Sequence, residues 1–261
     1  MIGHIIDPLY AFAGFCVGVL VGLTGVGGGS LMTPLLILLF GVHPATAVGT
    51  DLLFAACTKT VGAAINAQRQ TIDWTVTGRL AMGSVPTTAL TVTMLHFLRA
   101  YTDVASRIIS PVVAVAILGT ALMLVFHRQA LRFIAPHVVG LSARNLTGAT
   151  IATGATLGIL VSLSSIGAGA LGVAALTLLY PRLSMTKVVG SDIAHAIPLT
   201  LLGGMGYWFL GGVNWPLLGS LLSGSIPGII LSSLLATRVP TQLLRVVLAT
   251  VLTIAAVKLV V

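Results

Sequence analysis

The sequence predicts an all-α polytopic membrane protein made of two inverted repeats, each a glycine-broken helical hairpin followed by three transmembrane helices. Composition, recurring long apolar stretches and an internal repeat lead to this fold class. Of the 261 residues, 57% are hydrophobic and only 7% are charged, whereas a soluble domain carries about 25% charged residues. The mean hydropathy of +1.10 likewise excludes an aqueous surface over most of the molecule. A lipid bilayer is therefore the expected surrounding.

The distribution of charge fits this environment. The net charge of +8 does not indicate nucleic-acid binding, because the 13 Lys and Arg residues are scattered between apolar stretches. Such a distribution is typical of loop charges that orient a membrane protein. The first basic residue is Lys59, so the N-terminus lacks the basic region of a cleaved signal peptide. Cys16 and Cys57 both lie in apolar stretches and are predicted to be packing residues.

Apolar stretches long enough to span a bilayer, about 20 residues each, follow one another along the chain. In the first half they are residues 8–40, broken at 22–30, then 44–67, 73–98 and 104–126. In the second half they are residues 148–180, broken near 162–169, then 186–211, 214–237 and 240–260. We therefore predict a first membrane repeat over residues 1–127, a polar cytoplasmic connector over 128–147 and a second repeat over 148–261.

The internal repeat is visible at one constant offset. The segment Val-Gly-Thr-Asp ending at Asp51 matches Val-Gly-Ser-Asp ending at Asp192, which is 141 residues later. The same offset joins three further pairs: Trp74 with Trp215, Gly83 with Gly224 and Pro86 with Pro227. With a gap of one residue near position 41, the glycines at 27–29 fall on the second break at 167–169. A fixed period of this kind indicates two copies of one structural unit.

The basic residues predict how the two copies are oriented. If each glycine-broken stretch is a hairpin that leaves on the side it entered, each half has three net crossings and the halves are inverted. With the connector in the cytoplasm, Arg69, Arg128, Arg132, Arg144, Arg182, Lys187, Arg238 and Arg245 lie inside, and Arg99, Arg107 and Lys258 lie outside. Parallel halves would move four of the inside residues outside, against the positive-inside rule. Both termini are then predicted outside.

The two glycine-rich breaks are the predicted substrate site. Broken backbone at membrane depth is tolerated only where it is buried in protein or lines a cavity, and inverted repeats often bring two breaks together near the midplane. Helix N-termini there attract an anion, and glycine permits its close approach. The predicted binding residues are Thr24, Gly27, Gly28, Gly29, Ser30, Ser164, Ser165, Gly167, Gly169 and, as a counter-charge, Lys59. In the alternative interpretation, the small residues only allow close helix packing.

Ionisable residues inside the apolar segments are the predicted coupling groups. An ionised side chain at the centre of a span costs about 2.5–3.5 kcal/mol, so Asp51, Asp192 and Lys59 need a partner or a function. We predict that the two aspartates bind protons, together with His195, which shares a helix face with Asp192. Lys59 lies roughly 12 Å along the helix from Asp51, so one shared cavity is expected and not a direct pair. In the alternative interpretation, the aspartates cap helix ends and Lys59 snorkels.

These motifs together resemble the TauE/SafE-type sulfite and organosulfur exporter family. The resemblance rests on residues 22–34 (Gly-Leu-Thr-Gly-Val-Gly-Gly-Gly-Ser-Leu-Met-Thr-Pro), on 47–51 (Ala-Val-Gly-Thr-Asp) and on 72–74 (Ile-Asp-Trp). It implies a bacterial or archaeal cytoplasmic-membrane transporter that exports sulfite, sulfoacetate or related sulfonates and is driven by the proton gradient. The family usually has Ser after Val-Gly-Thr, where this chain has Asp51. A different coupling or a different substrate follows from that departure.

The leading hypothesis is therefore a proton-coupled secondary transporter for a small anionic solute, which works by alternating access around the two breaks. An uptake carrier and a channel for another small organic anion are the alternatives. An enzyme is not predicted, since the sequence shows no metal-ligand spacing and no Ser/His/Asp arrangement; neither a cofactor nor a metal is expected. The sequence leaves open whether the chain forms a homo-oligomer.

Overall fold

The structure is a computed structural model that describes residues 7–24, 29–68, 70–99, 142–167 and 169–235, together with the single positions 115 and 129. Every regular element within these ranges is a helix. The predicted spans 104–126 and 240–260 lie outside the described residues, apart from position 115, and so does most of the predicted connector.

The helices follow the same order in both halves. Those of the first half are α1 (Pro8–Thr24), α2 (Gly29–Leu38), α3 (Pro44–Gln68) and α4 (Trp74–Arg99). Those of the second half are α5 (Ala143–Ser164), α6 (Ala170–Leu179), α7 (Met185–Phe209) and α8 (Trp215–Leu235). α5 begins inside the stretch predicted as connector, because Ser142 caps it by accepting a hydrogen bond from the amide of Asn145.

Three of the described helices are long and apolar enough to cross a membrane: Ala143–Ser164, Met185–Phe209 and Trp215–Ser232. α3 and α4 have 25 and 26 residues, and they also exceed the bilayer core of about 30 Å in length. Large apolar side chains cover the outer surface of α4; for example, Phe97 is 68% exposed and Leu90 is 70% exposed. Such a surface suits contact with lipid.

Glycines bring the two halves into close contact at repeat-related positions. α1 packs along α8, and α4 packs along α5. A Cβ at Gly14 would collide with the backbone of Leu221, and a Cβ at Gly154 would collide with the backbone of Leu80. Gly14 and Gly154 match in the repeat, as do Leu80 and Leu221. One contact therefore occurs twice, with the two halves exchanging roles.

Hydrogen bonds between the two halves also occur twice, with the halves exchanging the roles of donor and acceptor. The amide of Asp73, just before α4, donates to Ser191 Oγ at 2.8 Å, and the amide of Asn214, just before α8, donates to Thr50 Oγ1 at 3.0 Å. Both donors and both acceptors are separated by the offset of 141 residues. The repeat seen in the sequence is thus a repeat of contacts as well.

The matching helices α3 and α7 lie side by side and run in opposite directions. Gly49, near the start of α3, lies against Tyr207, near the end of α7, whereas Gly62 lies against Ile193, near the start of α7. The apolar core between them contains Val48, Leu52, Val161, Ile166 and Leu199. Because Ile166 belongs to the second break, that break is packed directly onto the α3–α7 pair.

The helix starts of α4 and α5 lie at one end of the molecule. Arg79 of α4 donates to the hydroxyl of Tyr180 at 3.3 Å, and Thr150 of α5 is hydrogen-bonded to the same hydroxyl at 2.8 Å. Tyr180 ends α6 and leads into α7, so the start of α7 lies there too. Four described basic residues belong to this end: Arg79, Arg144, Arg182 and Lys187.

Candidate functional site

The second break, residues 165–169, separates α5 from α6 by means of left-handed backbone. Ser165 ends α5 with a φ of 57°, and its amide donates to the carbonyl of Val161 at 2.7 Å. Gly167 and Gly169 have φ angles of 116° and 128°. Only glycine adopts such angles readily, so the backbone itself requires both glycines.

The two predicted serines of this break have different contacts. Ser164 Oγ donates to the carbonyl of Leu160 at 2.7 Å and accepts from the amide of Ile166 at 3.1 Å, so its hydroxyl holds the break together. Ser165 Oγ is buried, faces Asp51 and makes no hydrogen bond of standard geometry within the described ranges. The start of α6 at Gly169 has no side-chain cap. At this helix start the amides of Leu171 and Gly172 donate to the carbonyl of Gly167 at 3.1 Å and 3.4 Å.

The first break falls largely outside the described residues. Gly27 and Gly28 are among the residues that the structure does not describe, and the same holds for the side chains of Thr24 and Ser30. Thr24 ends α1, and Gly29 and Ser30 begin α2. The predicted meeting of the two breaks consequently stays a prediction.

Asp51 is fully buried inside α3 and is held by α2. Its Oδ2 accepts hydrogen bonds from the amide and the hydroxyl of Thr33, at 3.1 Å and 2.5 Å. Its Oδ1 has no hydrogen bond of standard geometry to another described residue and faces Ser165. Hydrogen bonds to a carboxylate are strong, so Asp51 links α3 to α2 and reaches the second break. It is not a helix cap, because α3 begins at Pro44.

Asp192 is equally buried, inside α7, but it lacks such donors. Neither carboxylate oxygen has a hydrogen-bond partner in the part of the chain that the structure describes. A Cβ at Gly172 would overlap Asp192 Oδ1, so the carboxylate occupies space that this glycine of α6 leaves open. The charged group that acts on it is Lys59 of α3.

Lys59 of α3 is a buried cation that interacts with both aspartates. It is only 2% exposed and interacts electrostatically with Asp192 and, more weakly, with Asp51. A lysine that snorkels places its ammonium in water, and this burial excludes that alternative. One buried cation therefore serves two buried carboxylates from two helices.

His195 extends the cluster to α4. Its Nε2 is hydrogen-bonded to Ser84 Oγ at 2.8 Å, and both side chains are fully buried. Lys59 also acts electrostatically on His195. We use the name Lys59 centre for Lys59, Asp192, His195 and Ser84, which come from α3, α7 and α4.

Three contact residues of this region were not predicted from the sequence. Thr33 lies in the segment 22–34 and Ser84 in a repeated Gly-Ser-Val/Ile-Pro segment, so both stood in recognised motifs without an assigned role. Gly172 lies in an ordinary apolar stretch, and no pattern distinguishes it. Its importance depends on a neighbour from another helix.

A chain whose described elements are all helices, with apolar spans and a buried ionisable centre, has the features of a membrane transporter, because intramembrane ionisable residues mark solute and proton pathways. Comparison with known proteins agrees. The chain matches the family Sulfite exporter TauE/SafE over residues 10–259. A curated relative, the probable membrane transporter protein YjnA of Bacillus subtilis (strain 168), is 37% identical over 218 residues, 83% of this chain and 85% of the relative. No solved structure matches the chain.

The chain therefore belongs to the TauE/SafE family and is a multi-pass membrane protein of a transporter family. The resemblance drawn from residues 22–34, 47–51 and 72–74 is confirmed.

Proposed function

We propose that this protein is a secondary transporter that exports small sulfur-containing anions such as sulfite, sulfoacetate or a related sulfonate, with proton coupling. The family name supports sulfite as a solute. The observation that carries the proposal is Lys59, a cation that is 2% exposed in the middle of a 25-residue helix. A buried charge is expensive unless it is paired, so a mid-helix lysine is well suited to receive an anion in exchange for its carboxylate partner.

In this proposal the two halves are inverted repeats, and the site at the α3–α7 pair is opened alternately to the two sides of the membrane. The antiparallel course of these matching helices supports a twofold axis perpendicular to them. The exchanged contacts of Gly14 with Leu221 and of Gly154 with Leu80 support the same axis. Inverted repeats supply two related conformations that open to opposite sides. Since the Lys59 centre is buried, the conformation described here would be occluded.

The proposed membrane is the bacterial or archaeal cytoplasmic membrane, with both termini outside. Support comes from the end of the molecule that carries Arg79, Arg144, Arg182 and Lys187. The positive-inside rule assigns this end to the cytoplasm. α7 starts at this end and finishes at the opposite end of the molecule, where α8 begins. Because α1 runs parallel to α8, α1 also begins at that opposite end.

The proposed solute path combines the Lys59 centre with the second break. Lys59 supplies charge, and Ser165, Gly167 and Gly169 supply donors and space. Thr24, Gly27, Gly28, Gly29 and Ser30 are the proposed counterparts from the first break. Asp51, Asp192 and His195 are the proposed proton-coupling residues. No described group of at least three His, Cys, Asp or Glu side chains could hold a metal ion, and no metal or cofactor enters the proposal.

A ligand panel followed by flux measurement tests this function. Purified protein is heated with sulfite, sulfoacetate, thiosulfate, taurine or acetate, because a ligand that binds only the folded state raises the Tm. The proposal expects a Tm increase with sulfite or sulfoacetate, and saturable uptake of the same anion by proteoliposomes. Lys59→Met should lose both effects. Flux that never saturates would indicate a channel, and an absence of both binding and flux for every sulfur anion would contradict the proposed function.

A further inference from the structure

The polar residues of the Lys59 centre break the symmetry of the repeat. At the offset of 141, Asp51 matches Asp192, but Lys59 matches Thr200 and His195 matches Phe54. The two departures concern the cation and the histidine that surround Asp192. The internal repeat therefore accounts for the two matching aspartates. Lys59 and His195, in contrast, have no charged or titratable counterpart at the matching positions.

Two matching serines show the consequence of one departure. Ser84 Oγ is hydrogen-bonded to His195. Its repeat counterpart, Ser225, is also buried, but its hydroxyl has no hydrogen-bond partner among the described residues. The counterpart of His195 is Phe54, which cannot hydrogen-bond. The polar contact at Ser84 is thus a specific feature of the Asp192 side.

The two carboxylates differ in what neutralises them. Asp51 accepts two hydrogen bonds from Thr33. With the gap of one residue, the position of Thr33 in the second half is occupied by Val173, which has no donor. Asp192 therefore has no hydrogen-bond donor among the described residues and depends on Lys59. If Lys59 interacts with another anion instead, the negative charge of Asp192 is no longer neutralised, whereas Asp51 keeps its hydrogen-bond donors.

We propose that the transported anion and Asp192 compete for Lys59, so that a proton and an anion bind together and cross the membrane in the same direction. This inference rests on the proposed function and fixes the sign of its coupling: the proton leaves together with the exported anion, so export is driven by the outward gradient of the anion itself and not by the proton gradient that the family resemblance implies. It also selects Asp192 over Asp51 as the residue that takes up the coupled proton.

The exchange is balanced in atoms and charge. In the solute-free state, the Lys59 ammonium compensates the Asp192 carboxylate. When an anion arrives, one proton from water binds to an oxygen of Asp192, and the ammonium, which keeps its three protons, compensates the anion instead. For a monovalent anion the net charge of the centre is the same before and after, and for a dianion such as sulfoacetate the coupled proton limits the surplus to one negative charge instead of two. Low local dielectric penalises any state with a surplus charge, so anion binding without the proton and protonation without the anion are both disfavoured.

The groups around Asp192 support this assignment. From α3, Lys59 acts on it directly, and Asp51 acts on Lys59. From α7 itself, His195 is directed at Ser84 of α4. Cys57 of α3 is exposed, and the other described ionisable groups of the packed helices lie toward their ends; for example, Arg79 of α4 donates to Tyr180. α6, which contacts the carboxylate at Gly172, has no ionisable side chain between Ala170 and Leu179.

The test is proton-driven accumulation in proteoliposomes with the membrane potential clamped at zero by potassium and valinomycin. Labelled sulfoacetate is the probe, since both of its acidic groups stay ionised near neutral pH. Cotransport predicts that an inward gradient of one pH unit accumulates the anion up to about tenfold, because one proton contributes a tenfold factor per pH unit. Efflux under the same gradient, or equal uptake with and without it, would overturn the inference.

Variants separate coupling from transport itself. Asp192→Asn resembles the protonated state, so it should exchange labelled for unlabelled sulfoacetate at equal pH but lose proton-driven accumulation. Asp51→Asn should lower the rate and keep the accumulation. The reverse pattern would overturn the assignment to Asp192. If Asp192→Asn does not fold, the affinity of the wild-type protein for sulfoacetate is measured at several pH values instead. The affinity should rise as the pH falls. An affinity that falls or stays constant would contradict the inference.

The same measurements distinguish this inference from the proposed function. If wild-type protein carries sulfoacetate, sulfite and thiosulfate at the rate of empty liposomes, the proposed function fails and the inference fails with it. If one of these anions is carried but a proton gradient drives it in the opposite direction, only the inference fails.

Discussion

The surroundings of Asp51 and Asp192 are the most informative comparison within this molecule. The two residues end matching four-residue segments, both lie inside a long central helix and both are 0% exposed. Asp51 is held by Thr33 of α2, whereas Asp192 lies against Gly172 of α6 and interacts electrostatically with Lys59. The repeat thus provides two similar positions, and a few substitutions give them different chemistry.

Removing the cation should have the largest effect on this comparison. Lys59→Met keeps the length of the side chain but leaves Asp192 buried without its counter-charge, which typically costs about 3–5 kcal/mol. We expect loss of anion flux by at least about thirtyfold and a clear drop in Tm. The matched control is Lys59→Met combined with Asp192→Asn, which should recover most of the Tm but not the flux. Wild-type flux in the single variant would contradict a role for Lys59.

Filling the space beside Asp192 should have the next largest effect. In Gly172→Ala the new Cβ would overlap Asp192 Oδ1 and force the carboxylate away from its position. Because small displacements of reacting groups are costly, we expect flux to fall by about tenfold. The control is Gly148→Ala in α5, where no atom lies within 4 Å of the added Cβ and flux should stay at the wild-type level. Equal flux in both variants would show that the carboxylate position is unimportant.

Loss of the donor to Asp51 should affect stability more than coupling. Thr33→Val removes the hydroxyl that donates to Asp51 Oδ2, and a hydrogen bond to a charged group contributes about 1.5–3 kcal/mol. We expect a lower Tm and unchanged proton-driven accumulation. The reciprocal variant, Val173→Thr, introduces a hydroxyl at the matching position and should weaken accumulation by stabilising ionised Asp192. Accumulation that disappears in Thr33→Val would assign coupling to Asp51.

Replacing the histidine by its repeat counterpart should have the smallest effect. His195→Phe leaves Ser84 in the situation of Ser225, and an unsatisfied buried hydroxyl costs about 1–3 kcal/mol. We expect a modest loss of stability in thermal denaturation and a flux reduction of less than about tenfold. Ser225→Ala is the control and should change neither quantity, since that hydroxyl has no described partner. Complete loss of proton coupling in His195→Phe would mean that the histidine carries the proton.

Most of the fold could be predicted from the sequence because each membrane helix is specified locally. The predicted spans 44–67 and 73–98 correspond to α3 (Pro44–Gln68) and α4 (Trp74–Arg99). The second break falls where glycines interrupt an apolar stretch, and its Gly167 and Gly169 have the positive φ angles that explain it. Apolar length and glycine position are local signals, so no tertiary information was needed.

The arrangement of the site could be predicted only in part. Asp51, Lys59, Asp192 and His195 stood out because charge is rare in apolar segments. Spacing along one helix predicted that Lys59 does not pair directly with Asp51, but it could not show that Asp192 interacts with Lys59 more strongly, since that depends on how α7 packs against α3. Gly172 was missed for the same reason.

Proton uptake upon anion binding is the most direct test of cotransport through Asp192. Purified protein in weakly buffered detergent solution is mixed with sulfoacetate while a pH indicator records the free proton concentration. Cotransport predicts alkalinisation by wild-type protein and by Asp51→Asn, and none by Asp192→Asn although the anion still binds. Proton release by the wild type, or uptake that persists in Asp192→Asn, would contradict it.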